Sequence, residues 1–452
     1  MNTVNHTWRN HRGYITLLVI ALIVRIAIIW YAVGYRENTD ILRWKDRVRI
    51  AYLHSIADTY KTDYLQFGTL PNNMPPLGHY INYFMYQIWL QLGKLFAYFG
   101  IQPGSNNWVN GTLLTLLLRM PSLAADIGIS LLLYVFVYRL TNSKRKGLLT
   151  TGLFLFNPAI VFNSAFMGQM DSLENIFFLF GVWMMLKKWY YVAAAMISCS
   201  LLVKFSLIYT IPVFLYLVLL LTKSLWSLLL STIVAVIVTM IGILPISTSP
   251  FSWYVNFFLH NATGEMTNMT VFAFNAWWLL FRPHVTFGPN TSAFSSSEIQ
   301  LLHSPPVDQQ WFGVPLGILA ISLFIVVSIP LVIRMMKLKR NLLKPKWLCM
   351  SLSMICLLAF LFFPKMHERY IYPVFPLLAV AIGFRAPVFR EYVLLSILNT
   401  VNLFIVWHPI PLSNTLYTIL SDQNFQWFIC LCTVSISLLL YIRTLRMLAE
   451  NA

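Results

Sequence analysis

A succession of apolar runs constrains this chain more than any other feature. The runs lie at roughly 14–34, 77–99, 112–140, 147–165, 172–186, 189–204, 205–222, 225–245, 311–333, 348–364, 370–385, 391–407 and 425–442. About 20 apolar residues in a helix match the hydrocarbon thickness of a bilayer, and a helix satisfies its own backbone polar groups there. Of the 452 residues, 58% are hydrophobic and only 10% charged. Soluble domains run about 45–50% apolar and about 25% charged, so a soluble enzyme is excluded. The expectation is an all-α polytopic membrane protein, a single integral membrane domain over 1–452.

Basic residues set the sidedness. Lys and Arg number 32 against 15 Asp and Glu, a net charge of +17. Such an excess collects in cytoplasmic loops and implies no nucleic acid. The N-terminal tail, Lys144–Lys146, Lys187-Lys188, Lys223, the stretch from Arg334 to Lys346, Arg385 and Arg443/Arg446 all vote cytoplasmic. Alternation from an inside N-terminus satisfies these votes if 77–99, which carries Asn82, Gln87, Gln91 and Lys94, is re-entrant or interfacial. About 12 spans then remain, or 13 if that segment crosses. Long extracytoplasmic stretches fall at about 35–111 and 246–310, with shorter outward turns at 166–171, near 204, at 364–370 and at 408–424. The five cysteines sit in apolar runs and read as small buried hydrophobes. The first run, without a small-residue cleavage site, reads as a retained span.

Charged residues that insertion disfavours gather in the outward turns. Asp40, directly after the first span, is placed to take a proton from a hydroxyl, or simply to cap an interfacial helix that carries Arg43 and Trp44. Asp46, Asp58 and Asp63 compete with it. Arg119 and Asp126 are seven apart and share a helix face, which suggests a buried structural pair. The run Gly168-Gln169-Met170-Asp171-Ser172, with Glu174, reads equally as a cavity edge or a capped helix start. Lys204 can snorkel or hold an anion. The densest signal is Lys365-Met366-His367-Glu368-Arg369-Tyr370, framed by Pro364 and Pro373. If helical, Lys365 and Arg369 face one anion, with His367 as a tunable donor. No metal-ligand spacing, P-loop, Rossmann fingerprint or nucleophile elbow occurs. No cofactor is called for, and a divalent metal is left open.

These segments together resemble the GT-C superfamily of polyprenyl-phosphate-sugar-dependent glycosyltransferases. Its GPI mannosyltransferase II-like branch with bacterial relatives, and the dolichyl-phosphate-glucose glucosyltransferases, are the nearest in pattern. The residues that carry the likeness are Asp40, Pro75-Pro76-Leu77, Arg119 with Asp126, Asn157-Pro158, Gly168 to Ser172, Lys204, Phe274-Asn275-Ala276-Trp277 and His367-Glu368-Arg369-Tyr370. They occur in the family's order over about 14–407. The chain departs from the family pattern at Asn38-Thr39-Asp40, where Gly often precedes the acid, and at Met74.

The resemblance implies a GT-C-like bundle of about 12–13 helices, with interfacial helices in the first outer loop. It implies transfer of a hexose, mannose or glucose, from a polyprenyl-phosphate donor to a lipid-linked or cell-envelope glycan acceptor. Asp40 would be the base of an inverting displacement. Lys204, His367, Arg369 and Lys365 would hold the donor phosphate. Arg43, Trp44, Gln169, Asp171, Asn275, Trp277, Glu368 and Tyr370 would line the cavity. The expected place is a bacterial plasma membrane, with the site facing outward. A different class, a transporter or flippase of an anionic lipid or sugar, fits the composition too. It lacks a visible two-half repeat, and gathering of the charges at one face favours an enzyme.

Overall fold

The structure is a computed structural model that describes residues 2–35, 39–61, 71–100, 108–263, 267–287, 299–408 and 413–451. Glu37, Asp63, Ser295, Ser296 and Ser297 therefore lie outside the described residues.

Helices dominate. In chain order they are α1 (Asn2–Tyr35), α2 (Thr39–Leu53), α3 (Pro76–Tyr98), α4 (Leu114–Thr141), α5 (Lys144–Leu155), α6 (Asp171–Leu186), α7 (Tyr190–Val203), α8 (Ile211–Thr222) and α9 (Leu225–Ile243). There follow α10 (Pro250–Thr263), α11 (Ala276–Phe281), α12 (Leu316–Leu338), α13 (Pro345–Phe362), α14 (Val374–Gly383), α15 (Phe389–Trp407), α16 (Asn414–Ser421) and α17 (Gln423–Ala449). Local chemistry sets several of the starts. Ser143, Ser224 and Asp422 accept N–H bonds from the first turns of α5, α9 and α17, which satisfies donors left over at a helix start. Pro76, Pro345 and Pro212 stand in first turns, where a missing N–H costs nothing.

Among the described residues, eight helices are long and apolar enough to cross a bilayer, and the bent pair Lys144–Leu155 and Pro158–Met167, with a 51° angle, makes a ninth. Two shorter apolar helices, α7 and α14, are present besides these. The segment 77–99 falls outside the apolar set. It is one continuous helix of 23 residues, so no re-entrant turn breaks it.

The helices differ in what surrounds them. On α13, 89% of the apolar window is buried inside the protein, against 11% on α9 and 22% on α1 and α12. Large side chains such as Ile23, Ile26 and Trp30 on α1, Ile237 and Ile241 on α9, and Ile325 and Val326 on α12 are exposed. A belt of this kind is at rest in lipid and not in water. The chain is a multi-pass helical membrane protein. At its centre α13 and α14 pack together, and every residue of α14 is buried.

Little sheet is present, and one piece matters. Thr270–Val271 (β1) pairs in parallel with Met366–His367, so the loop before α11 is stitched to the turn before α14. Lys365 adds its N–H to the Met269 carbonyl at 2.9 Å.

Candidate functional site

One end of the bundle collects ionisable side chains from four separate segments. Asp40 stands in the first turn of α2. Its Oδ2 accepts from Gln169 Nε2 at 2.7 Å and lies 3.6 Å from Arg369 Nη2. Asp171 opens α6. Its Oδ1 takes the Lys204 ammonium at 2.5 Å, and its Oδ2 accepts from Asn163 Nδ2 at 3.2 Å and faces Arg369 Nε at 3.9 Å. Arg369 closes the arrangement, with Nη1 3.2 Å from Glu368 Oε1. The Lys204 ammonium also sits 4.4 Å above the Tyr370 ring, a favourable cation–π geometry. Outward turns that are far apart in sequence thus meet at one end, while Lys144–Lys146, Lys187-Lys188, Lys223 and Arg385 stand at opposite ends of the helices that lead there.

The three carboxylates are not equivalent. The Asp40 side chain is 23% exposed, that of Asp171 2% and that of Glu368 0%. Glu368 is enclosed: Trp407 Nε1 donates to its Oε1 at 2.8 Å and Asn399 Nδ2 to its backbone carbonyl at 2.7 Å. Only Asp40 combines access with ionisation.

Electrostatics follow from these contacts. Burial alone raises a carboxyl, but Arg369, the Gln169 amide, Arg43 and His367 outweigh it and hold Asp40 below its ordinary value. Glu368, deeply buried, is brought down to about 2 because His367, Arg369 and Trp407 overcome the desolvation. Lys204 goes up against its own burial because Asp171 faces it. His367 goes down, by burial first and by Arg369 second, with Glu368 opposing, so it stands neutral near pH 7. Its Nδ1, Glu368 Oε2 and Arg369 Nε are buried without a hydrogen-bond partner, leaving hydrogen-bonding capacity at the site.

The loop bearing Gln169 and Asp171 is cradled by α4. Arg119 donates to the Phe166 carbonyl at 3.2 Å, Ser122 to the Gln169 carbonyl at 2.6 Å, and Ser172 to Asp126 at 2.7 Å. Gly168 turns the chain with φ 71°, and a Cβ there would stand 2.6 Å from Arg119 Cγ. Only glycine meets both demands.

No protein family is matched by the sequence, and no curated protein matches it either. Among solved structures, the crystal structure of ArnT from Cupriavidus metallidurans in the apo state is similar with a TM-score of 0.45 and 14% identity, over 98% of this chain and 78% of that one. The chemistry of the site rests on its own residues.

Several expectations are corrected. Arg119 does not pair with Asp126, whose ion-pair partner is Arg25 of α1 at 2.9 Å. The α4 face is shared, but the 164–168 turn takes the Arg119 guanidinium and α1 delivers the nearer cation. Lys365 and Arg369 do not share a helix face, because Met366–His367 is extended and Lys365 has φ 62°; the ion pairs of the cluster run through Lys204 and Arg369. Trp44 is 5% exposed and packs with Ile41, Val48, Tyr86 and Leu118, which anchors α2. Asn275 caps α11 through the Trp277 and Trp278 N–H groups, and Trp277 Nε1 donates to the Phe362 carbonyl at 2.9 Å. Asp46 is exposed, and Asp58 is tied locally to Lys61 and Ser55.

Sequence reasoning missed Arg25, Ser164, Tyr372, Asn399 and Trp407. Arg25 was the findable one, as a charge in the middle of an apolar run. No group of three or more His, Cys, Asp or Glu side chains among the described residues is arranged to hold a metal ion. Groups able to face an anion include Lys204, Arg369 and, when protonated, His367.

Proposed function

We propose that the protein is a membrane glycosyltransferase that moves a hexose, mannose or glucose, from a polyprenyl-phosphate donor to a lipid-linked or cell-envelope glycan acceptor. The observation that carries this is one accessible, ionised carboxylate, Asp40, paired with Arg369, with Lys204 joined to the same cluster through Asp171. The Asp40 carboxylate takes the proton of an acceptor hydroxyl. The oxygen attacks the anomeric carbon as the bond from that carbon to the phosphate oxygen breaks, which inverts the configuration. The leaving polyprenyl phosphate keeps the electron pair, and fixed cations stabilise the added charge. A phosphate leaves as a stable anion, so the acid that a glycosidase needs has no counterpart here.

Asp171 and Glu368 hold Lys204 and Arg369 in place before the donor arrives. Arg43, Gln169 and Tyr370 complete the wall with their hydrogen-bonding groups and ring. The isoprenoid chain fits an apolar groove of about 720 Å³, lined among others by Ile81, Met85, Pro121, Leu173, Phe177 and Trp183. Leu173 stands two residues beyond Asp171, and the stretch from it to Trp183 is about 15 Å long at 1.5 Å per helical residue. With the basic clusters at the other end, the site faces away from the cytoplasm, in keeping with a bacterial plasma membrane.

The test is transfer by the purified protein in detergent from polyprenyl-phosphate mannose and, separately, glucose. Asp40→Asn keeps shape and one hydrogen bond but accepts no proton. Turnover should fall about 10²–10⁴-fold with donor binding nearly unchanged. Full activity in a folded Asp40→Asn protein would remove the proposed base.

A further inference from the structure

Beneath the ionisable cluster lies a second polar centre that the reaction does not touch. Asp126, in the middle of α4 and 0% exposed, accepts from four side chains. Arg25 Nε at 2.9 Å and Ser164 Oγ at 2.6 Å reach its Oδ2. Ser172 Oγ at 2.7 Å and Tyr372 Oη at 3.1 Å reach its Oδ1. The Tyr372 hydroxyl is also 3.0 Å from Ser172 Oγ.

The two donors on Oδ1 come from two of the segments that build the site. Ser172 follows Asp171 in the chain. Tyr372 is three residues beyond Arg369, and its N–H donates to the Arg369 carbonyl at 3.0 Å. Oδ2, in contrast, ties α1 and the 162–167 turn. One carboxylate therefore fastens the start of α6 to the turn before α14. The 3.9 Å separation of Arg369 Nε from Asp171 spans that junction, and Arg369 carries the same turn to Asp40 on α2 at 3.6 Å. Any slip between the segments changes the first distance directly.

We infer that Asp126, acting through Tyr372 and Ser172, is a positioning residue that sets Arg369 and Asp171 at the spacing the donor phosphate requires; this rests on the transferase reading above. The Arg25 ion pair separates the fold from the positioning. Asp126→Asn leaves a buried guanidinium without its counter-charge, which is costly in itself. Tyr372→Phe removes only the hydroxyl that joins the two segments and keeps the Arg25–Asp126 pair, the ring and the volume.

The experiment is a double-mutant cycle on the full chain in detergent. Tyr372→Phe should lower kcat/KM for the polyprenyl-phosphate hexose by about tenfold to a hundredfold, the scale on which a misplacement near 1 Å acts. In an Arg369→Ala background the same substitution should cost nothing further, because it acts through Arg369. Tyr441→Phe is the control. It removes a hydroxyl that donates to the Val327 carbonyl, far along the chain from the site, and should cost stability but no kcat/KM. Binding of farnesyl phosphate carries the same cycle without turnover, and there too Tyr372→Phe should weaken binding only where Arg369 is present. A wild-type protein that binds farnesyl phosphate but transfers no hexose overturns the proposed function and leaves the binding cycle to decide the inference. Wild-type affinity and kcat/KM in Tyr372→Phe overturn the inference alone. So does a full additive loss in the Arg369→Ala background, or an equal loss in Tyr441→Phe.

Discussion

At the scale of single residues, burial decides which of several similar carboxylates does what. Asp40, Asp171 and Glu368 lie within one cluster, yet of the three only the Asp40 side chain is appreciably exposed. Glu368 is the clearest case of a carboxyl spent on structure. Its value in the folded protein, about 2, is below the ordinary 4.5. The stability it contributes is therefore fully present above pH 4.5 and lost as pH falls toward about 2. Thermal melts of wild type and Glu368→Gln as a function of pH should converge across that window, with the variant less stable near neutral pH. Curves that stay parallel down to pH 2 would place no ionised carboxylate there. The chemical type and sequence neighbourhood of the cluster were legible beforehand, since Asp40, Asp171, Lys204 and Arg369 all stood in outward turns. Their pairings were not, because an apolar run shows that a helix exists but not which helix it touches. Arg119 and Asp126 were matched on spacing alone, and tertiary packing gave Asp126 to Arg25.

Among elements, two membrane helices carry polar stripes that hold loops in shape. On α4, Arg119, Ser122 and Asp126 fall on one face and fix the 164–172 loop at three points. On α15, Asn399 fixes the Glu368 carbonyl, and Asn402 both accepts from the Phe274 N–H and donates to the Phe272 carbonyl. Ser396, one turn earlier, bonds Asn157 at 2.8 Å. Loops that would otherwise be free are thus seated on rigid supports, as a site with sub-ångström demands requires. Gly168 is where this seating is tightest. Gly168→Ala meets the positive-φ penalty of about 1–2 kcal/mol and the Arg119 side chain together. It should lower the melting temperature and reduce transfer by at least tenfold, read by calorimetry and donor kinetics on one preparation. An unaffected Gly168→Ala enzyme would show that the loop is not held from α4. Periodicity located these helices, but the polar stripes hid inside apolar runs, where one Ser or Asn every turn barely alters mean hydropathy. The extended turn at Met366–His367 was hidden differently. Its conformation comes from pairing with Thr270–Val271, almost a hundred residues away, which no local spacing reveals.

For the whole molecule, orientation in the bilayer decides whether the proposed donor can reach the site at all. The ends of the helices that meet at Asp40, Asp171, Lys204 and Arg369 lie opposite the ends that carry Arg145 and its neighbours. Basic residues are held on the cytoplasmic side during insertion, so in the orientation we propose the cluster faces out. Gln309 is exposed and close in sequence to the start of α12, and Arg145 is also exposed; the proposed orientation puts the first outside and the second inside. Of the native cysteines, Cys349, Cys356 and Cys430 are buried, and only Cys199 and Cys432 are partly accessible; both can be replaced by Ala to give a quiet background. In intact cells, an impermeant maleimide should then label Gln309→Cys directly and Arg145→Cys only after permeabilisation. The reverse pattern would turn the site toward the cytoplasm. A donor presented on the outer leaflet would then never meet Asp40, and the extracytoplasmic reaction would fall even if transfer in detergent were observed.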